Sequence, residues 1–367
     1  MTTTGTDSRR LRLGTRGSRL ALTQSGQVAE ALRQAAGAPG EGSGGLGIDL
    51  VTVRTDGDGD RTPLRQLGGV GVFAARLRHA LLDGEVDLVV HSFKDLPTKP
   101  VEGLEVICVP PREDPRDALC ARDGLTLADL PEGARVGTGS PRRAAQLLAA
   151  RPDLEVVDLR GNVPTRLARV RGLEVVGVGT DEPVAPSRAD AAGDLDAVIL
   201  ALSGLRRLGL EQCASEVLDF ETMLPAPAQG ALAVEARAGE ESVELARAVA
   251  VLDDEPTRLA VTAERALMAR LGAGCAAPVG AWAHLREGDR EPRMLALRAV
   301  VTSLDGGQEV GCELSTELPE ATGAPGATQD AAAVRAAEAL GARAAETLLE
   351  DGADQIVDLH ANKPRRD

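Results

Sequence analysis

The sequence predicts an α/β protein with two lobes of similar build and a third, C-terminal unit. Apolar runs of strand length alternate with segments of helical periodicity from residue 11 onward, a pattern typical of α/β sheets. The alternation restarts after a proline-rich, charged stretch at residues 110–117. At 367 residues the chain is also too long for one ordinary core.

The first lobe is expected to contain three strands and two helices. Ser18 is a suitable N-cap for a helix that continues to about Ala36, because its hydroxyl can accept a hydrogen bond from a free N–H group of the helix start. Phe73, Leu77 and Leu81 share one face of a second helix. The strands are predicted at residues 11–14, 48–53 and 86–90, the last being an apolar run suited to a buried parallel strand.

The second lobe is expected to repeat this order. Its strands are predicted at residues 135–137, 155–159 and 197–202, and its helices at residues 140–150 and 163–171. The chain then returns toward the first lobe near residues 224–227. Two lobes joined by such crossovers leave a cleft between them, the usual place for a ligand.

The C-terminal unit is expected to be a smaller α+β domain. A helix is predicted at residues 255–271, strands at 279–283 and 294–302, a surface linker at 323–328 and a terminal helix at 331–349. The predicted domains are therefore residues 10–112 with 224–250, residues 113–223, and residues 254–367.

Composition excludes several classes of function. The formal charge is −15, which disfavours non-specific binding to nucleic acid or to anionic membranes. Three Phe, one Trp and no Tyr leave too few rings for a base-stacking surface. The polar first ten residues lack the apolar core of a signal peptide, and no run is long enough to span a bilayer. Five scattered cysteines without a CxxC pair indicate the cytoplasm, with neither a disulfide frame nor a structural zinc site.

Polar side chains follow the predicted strand 86–90 in the motif HSFKDLP. Ligands of open α/β sheets bind at the carboxyl ends of strands, so Lys94 and Asp95 are candidates for a polar cleft. The alternative is a surface loop with a Lys–Asp ion pair.

Three predicted helix starts carry nearby arginines. Ser140 and Pro141 open a helix in VGTGSPRR, and free N–H groups at such a start attract anions. LRGNVPTRL and TRGS repeat the arrangement. Arginine excess can reflect a GC-rich genome, so only arginines inside motifs are counted. Three such starts spread over two lobes favour a ligand with many negative charges, whereas ordinary helix capping would explain any one of them.

Two further motifs contain reactive residue types. Asp56 to Asp60 resembles the start of a calcium loop, but Arg61 and Leu67 stand where that loop needs Gly and Glu, so calcium is rejected. Cys275 lies in the glycine-rich LGAGCAAP after a predicted helix, where a thiol would be accessible and nucleophilic. A lone Cys is more often a small core residue. The four His residues show no metal spacing, so no metal site is predicted.

Taken in order, these segments resemble the porphobilinogen deaminase family over nearly the whole chain. The resemblance is carried by LGTRGSRLAL, HSFKDLP, EDPRDAL, VGTGSPRR, LRGNVPTRL, ALSGLRRLGL, LPAPAQGALA and LGAGCAAPVG. It implies two lobes similar to periplasmic binding proteins and a smaller α+β third domain. It also implies a monomeric transferase of the cytoplasm, active in tetrapyrrole and heme biosynthesis. In the reaction that the resemblance implies, four porphobilinogens are added stepwise, head to tail, onto a covalently bound dipyrromethane cofactor with loss of ammonia, and hydroxymethylbilane is released by hydrolysis.

The resemblance assigns roles to individual residues. A dipyrromethane cofactor is implied on Cys275 through a thioether, and Asp95 matches the family's catalytic aspartate, which stabilises a transient cation. The implied cofactor-binding residues are Cys275, Asp58, Lys94, Ser140, Arg142, Arg143, Arg160 and Gly161. The implied substrate-binding residues are Arg16, Ser18, Arg160, Arg166 and Gln229.

The sequence departs from the family pattern in two places. The loop with Asp58 is one residue shorter, so Asp60 is a rival for the same role, and Gln66 and Val70 replace common lysines. The segment 181–193 is an insertion relative to shorter members. Two alternative functions remain: a two-lobed anion sensor without catalysis, and a phosphoryl-transfer enzyme, which lacks a Walker lysine.

Overall fold

The computed structural model describes residues 10–37, 46–53, 72–175, 193–274, 276–288, 291–319 and 331–360. In chain order its strands are β1 (Leu11–Thr15), β2 (Ile48–Thr52), β3 (Leu88–Ser92), β4 (Leu104–Cys108), β5 (Asp117–Ala121), β6 (Arg135–Gly137), β7 (Glu155–Val157), β8 (Ala197–Ala201), β9 (Glu216–Val217), β10 (Leu232–Arg237), β11 (Val279–Gly288), β12 (Glu291–Thr302) and β13 (Glu309–Glu317). Its helices are α1 (Arg19–Ala35), α2 (Val72–Leu82), α3 (Pro141–Ala150), α4 (Val163–Leu167), α5 (Leu202–Arg207), α6 (Val243–Leu252), α7 (Glu255–Leu271), α8 (Ala331–Glu350) and α9 (Ala353–Ile356).

Two five-stranded sheets of the same design form the two lobes. The first has the order β2-β1-β3-β10-β4 and the second the order β7-β6-β8-β5-β9. In each sheet the first three strands are parallel, and the fourth runs antiparallel to both of its neighbours. The antiparallel strand comes from a chain segment that crosses between the lobes. The predicted two-lobed α/β fold is confirmed.

Apolar residues cover both faces of the first sheet. One face packs against α1 and α6 around Leu13, Leu32 and Leu88. The other packs against α2, through a cluster that includes Leu81 and Val89. The apolar residues of β3 are buried whichever way they point, as expected for a central strand of a parallel array.

The third domain is a three-stranded antiparallel sheet, β11-β12-β13, covered by α7 and α8. The two helices approach closely, because a Cβ added to Gly341 of α8 would lie 2.1 Å from the carbonyl oxygen of Ala263 in α7. A glycine is required there for the helices to pack. The predicted smaller α+β unit is confirmed.

Several predicted limits differ from those observed. The strand predicted at residues 155–159 ends at Val157, and the one predicted at 279–283 continues to Gly288. The strand predicted at residues 86–90 lies at Leu88–Ser92, since Val86 belongs to the turn after α2 and donates its N–H to the carbonyl oxygen of Ala80. The helix predicted at residues 163–171 ends at Leu167. The chain beyond it is held beside β8 instead, where Arg171 donates its N–H to the carbonyl oxygen of Leu195.

Within the described part of the chain, every helix is too short or too polar to cross a lipid bilayer.

Candidate functional site

The end of β3 presents Lys94 and Asp95 at the junction of the lobes. His91 and Ser92 belong to the strand itself, and a 3-10 turn, Phe93–Asp95, follows. His91 is buried, and its Nε2 lies 3.1 Å from a Glu235 carboxylate oxygen. Asp95 is exposed, whereas Lys94 beside it is partly buried. The strand end therefore offers one open carboxylate and one sheltered ammonium group.

Burial changes the acid–base behaviour of Lys94. Desolvation lowers the pKa of its ammonium to about 8, because the charged form loses contact with water. The negative charges of Asp95 and Asp117 oppose this effect, and the positive charges of Arg143 and Arg142 add to it. At neutral pH the group is still mainly charged and can bind a carboxylate.

The start of α3 is built to lie close to the neighbouring strand end. Ser140 caps the helix by accepting a hydrogen bond from the N–H of Arg143 (3.5 Å), and Pro141 occupies the first turn, as predicted. A Cβ on Gly139 would lie 2.5 Å from the carbonyl oxygen of Leu159. Only glycine allows this turn to approach the one that follows β7.

Arg142 and Arg143 converge on one carboxylate beneath this helix. Asp117 is fully buried at the start of β5, and its two oxygens accept from Arg142 Nη2 and Arg143 Nη2, both at 2.7 Å. Burial alone would raise the pKa of Asp117, but the two guanidinium charges outweigh it and hold the pKa well below its usual range. Both arginines, predicted to bind cofactor, are buried and share this internal partner.

One nitrogen of this cluster keeps an unused donor. Arg142 Nε is buried, and no acceptor among the described residues lies within hydrogen-bond distance of it. A buried N–H without a partner is costly. A ligand oxygen would satisfy it.

Gln229 links this cluster to Lys94. The residue was predicted to bind substrate, but its side chain is fully buried and contacts protein on both sides. Its Oε1 accepts from Lys94 Nζ (3.2 Å) and Arg143 Nη2 (3.4 Å), and its Nε2 donates to Asp117 Oδ1 (2.8 Å). In this structure the amide has no solvent-exposed surface.

The start of α4 adds two more cations. Asn162 caps the helix by accepting from the N–H of Thr165 (2.9 Å). Arg160 precedes the cap, and its buried Nε finds no acceptor among the described residues. Arg166 donates to the carbonyl oxygen of Gly161 (2.7 Å), which fixes its guanidinium over the same turn. Gly161 has a φ of 111°, a conformation that favours glycine.

Arg166 shows that the positive charges are crowded. Its pKa is lowered to about 10, chiefly by burial and further by the charges of Arg143 and Arg160. Asp95 and Asp158 oppose this effect. Since Asp95 belongs to the first lobe and Arg166 to the second, the two side chains interact electrostatically across the cleft.

The start of α1 completes the set from the first lobe. Ser18 is the N-cap, as predicted, and its Oγ accepts from the N–H of Ala21 (3.3 Å). Arg16 and Ser18 are both partly buried. Leu20 in the first turn packs with the apolar cluster of the second lobe, so the two lobes are in direct contact beside this helix start.

Helix α7 of the third domain holds the loop that carries Asp95. Arg265 donates to the carbonyl oxygens of Leu96 (2.7 Å) and Pro97 (2.8 Å), and its guanidinium lies 4.5 Å from the centroid of the Phe93 ring. The residue before it in the sequence, Glu264, is fully buried. This helix leads directly to the glycine-rich loop at residues 272–274.

Glu264 joins three parts of the chain at one carboxylate. It accepts two hydrogen bonds from Arg112 (2.7 and 3.0 Å) and one from the backbone N–H of Ala283 (2.8 Å). It also accepts from the N–H of Ala228, a non-glycine residue with a φ of 62°. Arg112 in turn donates to the carbonyl oxygen of Gln229 (2.8 Å). The crossover around residue 228 is therefore fixed by the third domain.

Several predicted residues lie outside the described part of the chain. These are Cys275, Asp58, its rival Asp60, Gln66, Val70 and nearly all of the insertion at 181–193. The four described cysteines offer no alternative anchor. Cys108, Cys120 and Cys213 are buried, which raises the pKa of each thiol, and burial raises the pKa of the half-buried Cys312 to about 11.

Sequence reasoning missed the residues that organise the site from beneath. Asp117 lies in the motif EDPRDAL, where an acidic residue directly precedes an apolar strand, and that position was the available signal. Glu264 and Arg265 carried no local signal, because their partners are more than 100 positions away or on backbone atoms.

Lys94 from the first lobe and Arg166 from the second both interact with the exposed Asp95. The buried Nε atoms of Arg142 and Arg160 have no acceptor among the described residues. The fold and the site together define a two-lobed α/β protein with a cation-lined cleft and a third domain that contacts the crossover segments.

Comparison with known proteins gives the family. Residues 11–245 match the model "Porphobilinogen deaminase, dipyromethane cofactor binding domain", and residues 258–350 match "Porphobilinogen deaminase, C-terminal domain". The chain belongs to the porphobilinogen deaminase family.

Full-length relatives agree with this assignment. The porphobilinogen deaminase of Cutibacterium acnes is 51% identical over 97% of this chain and 99% of its own length. That of Thermobifida fusca is 49% identical over 94% of this chain and 95% of its own.

Two solved structures show a weak likeness to this chain. A putative methionine-binding lipoprotein of Bacillus subtilis has a TM-score of 0.35 and 14% identity over 67% of this chain and 91% of its own. A TRAP periplasmic solute binding protein of Roseobacter denitrificans, with bound β-D-glucuronate, has a TM-score of 0.33 and 10% identity over 67% of this chain and 78% of its own.

Proposed function

We propose that the cleft binds a dipyrromethane attached through Cys275 and that four porphobilinogen units are added to it, with loss of one ammonia per unit. Water then cleaves the bond to the dipyrromethane and releases hydroxymethylbilane. The observation that carries this proposal is that the exposed Asp95 interacts electrostatically with Lys94 of its own lobe and with Arg166 of the other lobe, and that Arg166 lies near Arg160. A pyrrole with acetate and propionate groups brings two carboxylates, and each added unit brings two more. A cleft that is lined by cations and exposes the carboxylate of Asp95 suits such a ligand.

The arginines bind and orient the carboxylates. Arg160 has a buried Nε that lacks an acceptor among the described residues, and Arg166 has a pKa lowered by its cationic neighbours, so an anion between them relieves both costs. Gly161 lets the backbone of the same turn approach the ligand. In the first lobe, Arg16 and Ser18 bind the incoming substrate. Arg142 offers its unused Nε from the start of α3, next to the cap at Ser140.

Asp95 provides the chemistry that the cations cannot. Loss of ammonia from the aminomethyl group of the substrate leaves a positive charge next to the pyrrole ring. An exposed carboxylate at the strand end stabilises that charge and accepts the proton released when the new carbon–carbon bond forms. A dipyrromethane held on Cys275 would supply the ring carbon that forms this bond. Asp58, or Asp60 in its place, is proposed as a second carboxylate near the ligand.

The third domain is proposed to position the anchor. Arg265 ties α7 to the loop with Asp95, and the same helix leads to the segment with Cys275. The proposed domains are residues 10–112 with 224–250, residues 113–223 and residues 254–367. The proposed protein is a monomer of the cytoplasm.

The intact mass of the purified protein tests the anchor. The wild-type chain should exceed its sequence mass by two linked pyrroles, and Cys275→Ser should show the sequence mass alone. Cys312→Ser, in the same domain, is the matched control and should keep the added mass. A wild-type protein at its sequence mass, even after incubation with porphobilinogen, would support the anion sensor and refute the enzyme.

Turnover tests the carboxylate. Asp95→Asn should keep the added mass but lose about 10²- to 10⁴-fold in rate, the usual contribution of a positioned acid–base group. Asp83→Asn, another exposed aspartate of the first lobe, should turn over porphobilinogen at the wild-type rate. Equal rates in the two variants would remove Asp95 from the mechanism.

A further inference from the structure

We infer that Gln229 is a positioning residue for the reaction. Its buried amide donates to Asp117 and accepts from Lys94, and this oriented dipole keeps the Lys94 ammonium charged and in place at the cleft. The inference deepens the proposed function, since it relies on Lys94 binding a ligand carboxylate. It assigns Gln229 a role beneath the cleft surface in place of direct contact with substrate.

The orientation of the amide is determined by its surroundings. Its oxygen faces two cationic donors, Lys94 Nζ at 3.2 Å and Arg143 Nη2 at 3.4 Å. Its nitrogen faces two acceptors, Asp117 Oδ1 and the carbonyl oxygen of Pro115, both at 2.8 Å. The reversed amide would place N–H groups against two cations and oxygen against two acceptors. Only one orientation satisfies all four contacts.

The backbone around Gln229 holds the amide in place. Its carbonyl oxygen accepts from Arg112 Nε (2.8 Å), and its N–H donates to the carbonyl oxygen of Ala226 (2.9 Å). Gly230 has a φ of 88°, and a Cβ there would lie 2.3 Å from the carbonyl oxygen of Glu113. The side chain therefore starts from a rigid turn and loses little entropy when it bonds.

The charges around Lys94 explain why a neutral amide is needed. Among the described residues, the charged groups that act on its ammonium include Asp95 on its own turn, Asp117 on β5, and Arg143 and Arg142 on α3. Burial and the two arginines all favour the neutral amine. Asp117 acts on Lys94 as a charge but is engaged by both arginines. The amide of Gln229, bonded to both Asp117 and Lys94, adds an oriented dipole that favours the charged ammonium.

A variant without the amide should lower the pKa of Lys94. Gln229→Met keeps the length of the side chain and leaves Asp117 bonded to Arg142 and Arg143. Loss of one hydrogen bond to a charged group should lower the Lys94 pKa, about 8 in the wild type, by about one pH unit. The alkaline limb of kcat/KM for porphobilinogen should move to lower pH by the same amount.

Lysine NMR measures this pKa without reference to turnover. The chain has only three lysines, Lys94, Lys99 and Lys363, so lysine labelled with ¹³C at Cε gives three signals in the holoprotein. Lys94→Arg assigns the Lys94 signal by its loss. Gln146→Met is the matched control. Gln146 is a buried glutamine on the same helix as Arg143, and its side chain is hydrogen-bonded to the backbone of Leu224. It should leave the Lys94 titration unchanged.

Gln229→Glu is the second variant. A carboxyl group in either protonation state still offers Lys94 an oxygen, so the pKa must stay at or above the wild-type value. An unchanged Lys94 titration in Gln229→Met, a fall in Gln229→Glu, or a shifted titration with an unmoved kcat/KM limb would each overturn the inference. Failure of the proposed function would be seen earlier, as wild-type protein at its sequence mass.

Discussion

Replacing Glu264 by Gln should destabilise the protein by about 3–5 kcal/mol, the usual cost of removing one partner of a buried ion pair. The carboxylate is fully buried and accepts bonds from Arg112 and from the backbone of Ala228 and Ala283. A glutamine keeps one oxygen and turns an NH₂ group toward donors. It also leaves the buried Arg112 guanidinium without its opposite charge. The loss is therefore both electrostatic and geometric.

The single tryptophan is a convenient probe of this change. Trp282 precedes Ala283 on β11 and is stacked on Phe220 of the second lobe at 3.9 Å, so its fluorescence reports on the third domain and on its contact with that lobe. We expect the urea midpoint of the Trp282 transition to fall clearly in Glu264→Gln. Multidomain chains unfold in more than one step, so midpoints of this one transition are compared.

The control is an exposed ion pair at the end of the same helix. Arg270 and Glu346 are 3.1 Å apart, and each is about half exposed, with side-chain exposures of 54% and 49%. Glu346→Gln should cost less than about 1 kcal/mol, because exposed pairs are solvated. If Glu264→Gln lowered the Trp282 midpoint no more than Glu346→Gln does, the reasoning that Glu264 joins the domains would be refuted.

Two other variants test the surroundings of the cleft. Arg265→Met should keep the dipyrromethane mass but lower turnover by about ten- to hundredfold, because the loop with Asp95 loses its anchor and a displacement near 1 Å is that costly. Asp117→Asn should destabilise the protein by about 3–5 kcal/mol at neutral pH, since Arg142 and Arg143 lose their counter-charge. The folded-state pKa of Asp117 lies below its unfolded value, so this difference from wild type is complete above about pH 4 and shrinks as the pH falls through the folded pKa.

Matched measurements decide both cases. Arg270→Met, at the exposed end of α7, should keep wild-type turnover, and an equal loss in Arg265→Met and Arg270→Met would show that the loop contacts are irrelevant. For Asp117, unfolding free energies are compared with wild type from pH 7 to pH 3. A difference that stays constant from pH 7 to pH 3, or that grows as the pH falls, would show that folding does not lower the pKa of Asp117.

The sequence predicted the parts of the fold that depend on local pattern. The caps at Ser18 and Ser140 were predicted from residue type and position, and the structure confirms both. The start of β3 was placed two residues too early, because the limits of a strand are set by its partners. Pairing with β10 extends β3 through His91 and Ser92, and β10 lies more than 130 positions further along the chain.

The residues that face the cleft could be predicted from the sequence, but the buried residues that hold them in place could not. Lys94 and Asp95 stand in one motif, and the arginines stand at recognisable helix starts. The burial of Arg142 and Arg143 on α3 depends on Asp117, which bonds to them from the start of β5. Gln229 likewise meets Lys94 only because the crossover returns to the first sheet. Such contacts are made by the tertiary fold and leave no periodic trace in the sequence.

The crossing strands also bear on how the chain matures during synthesis. β3 is flanked on one side by β10, so residues 232–237 must leave the ribosome before the first sheet can close. Until then the nascent polypeptide carries an open β-edge made of Leu88, Val89 and Val90, which is a template for wrong pairing. The second sheet, by contrast, needs nothing beyond Val217 and is complete first. The N-terminal lobe is thus the later of the two to finish, and chaperone protection is most needed while its strand edge awaits a partner.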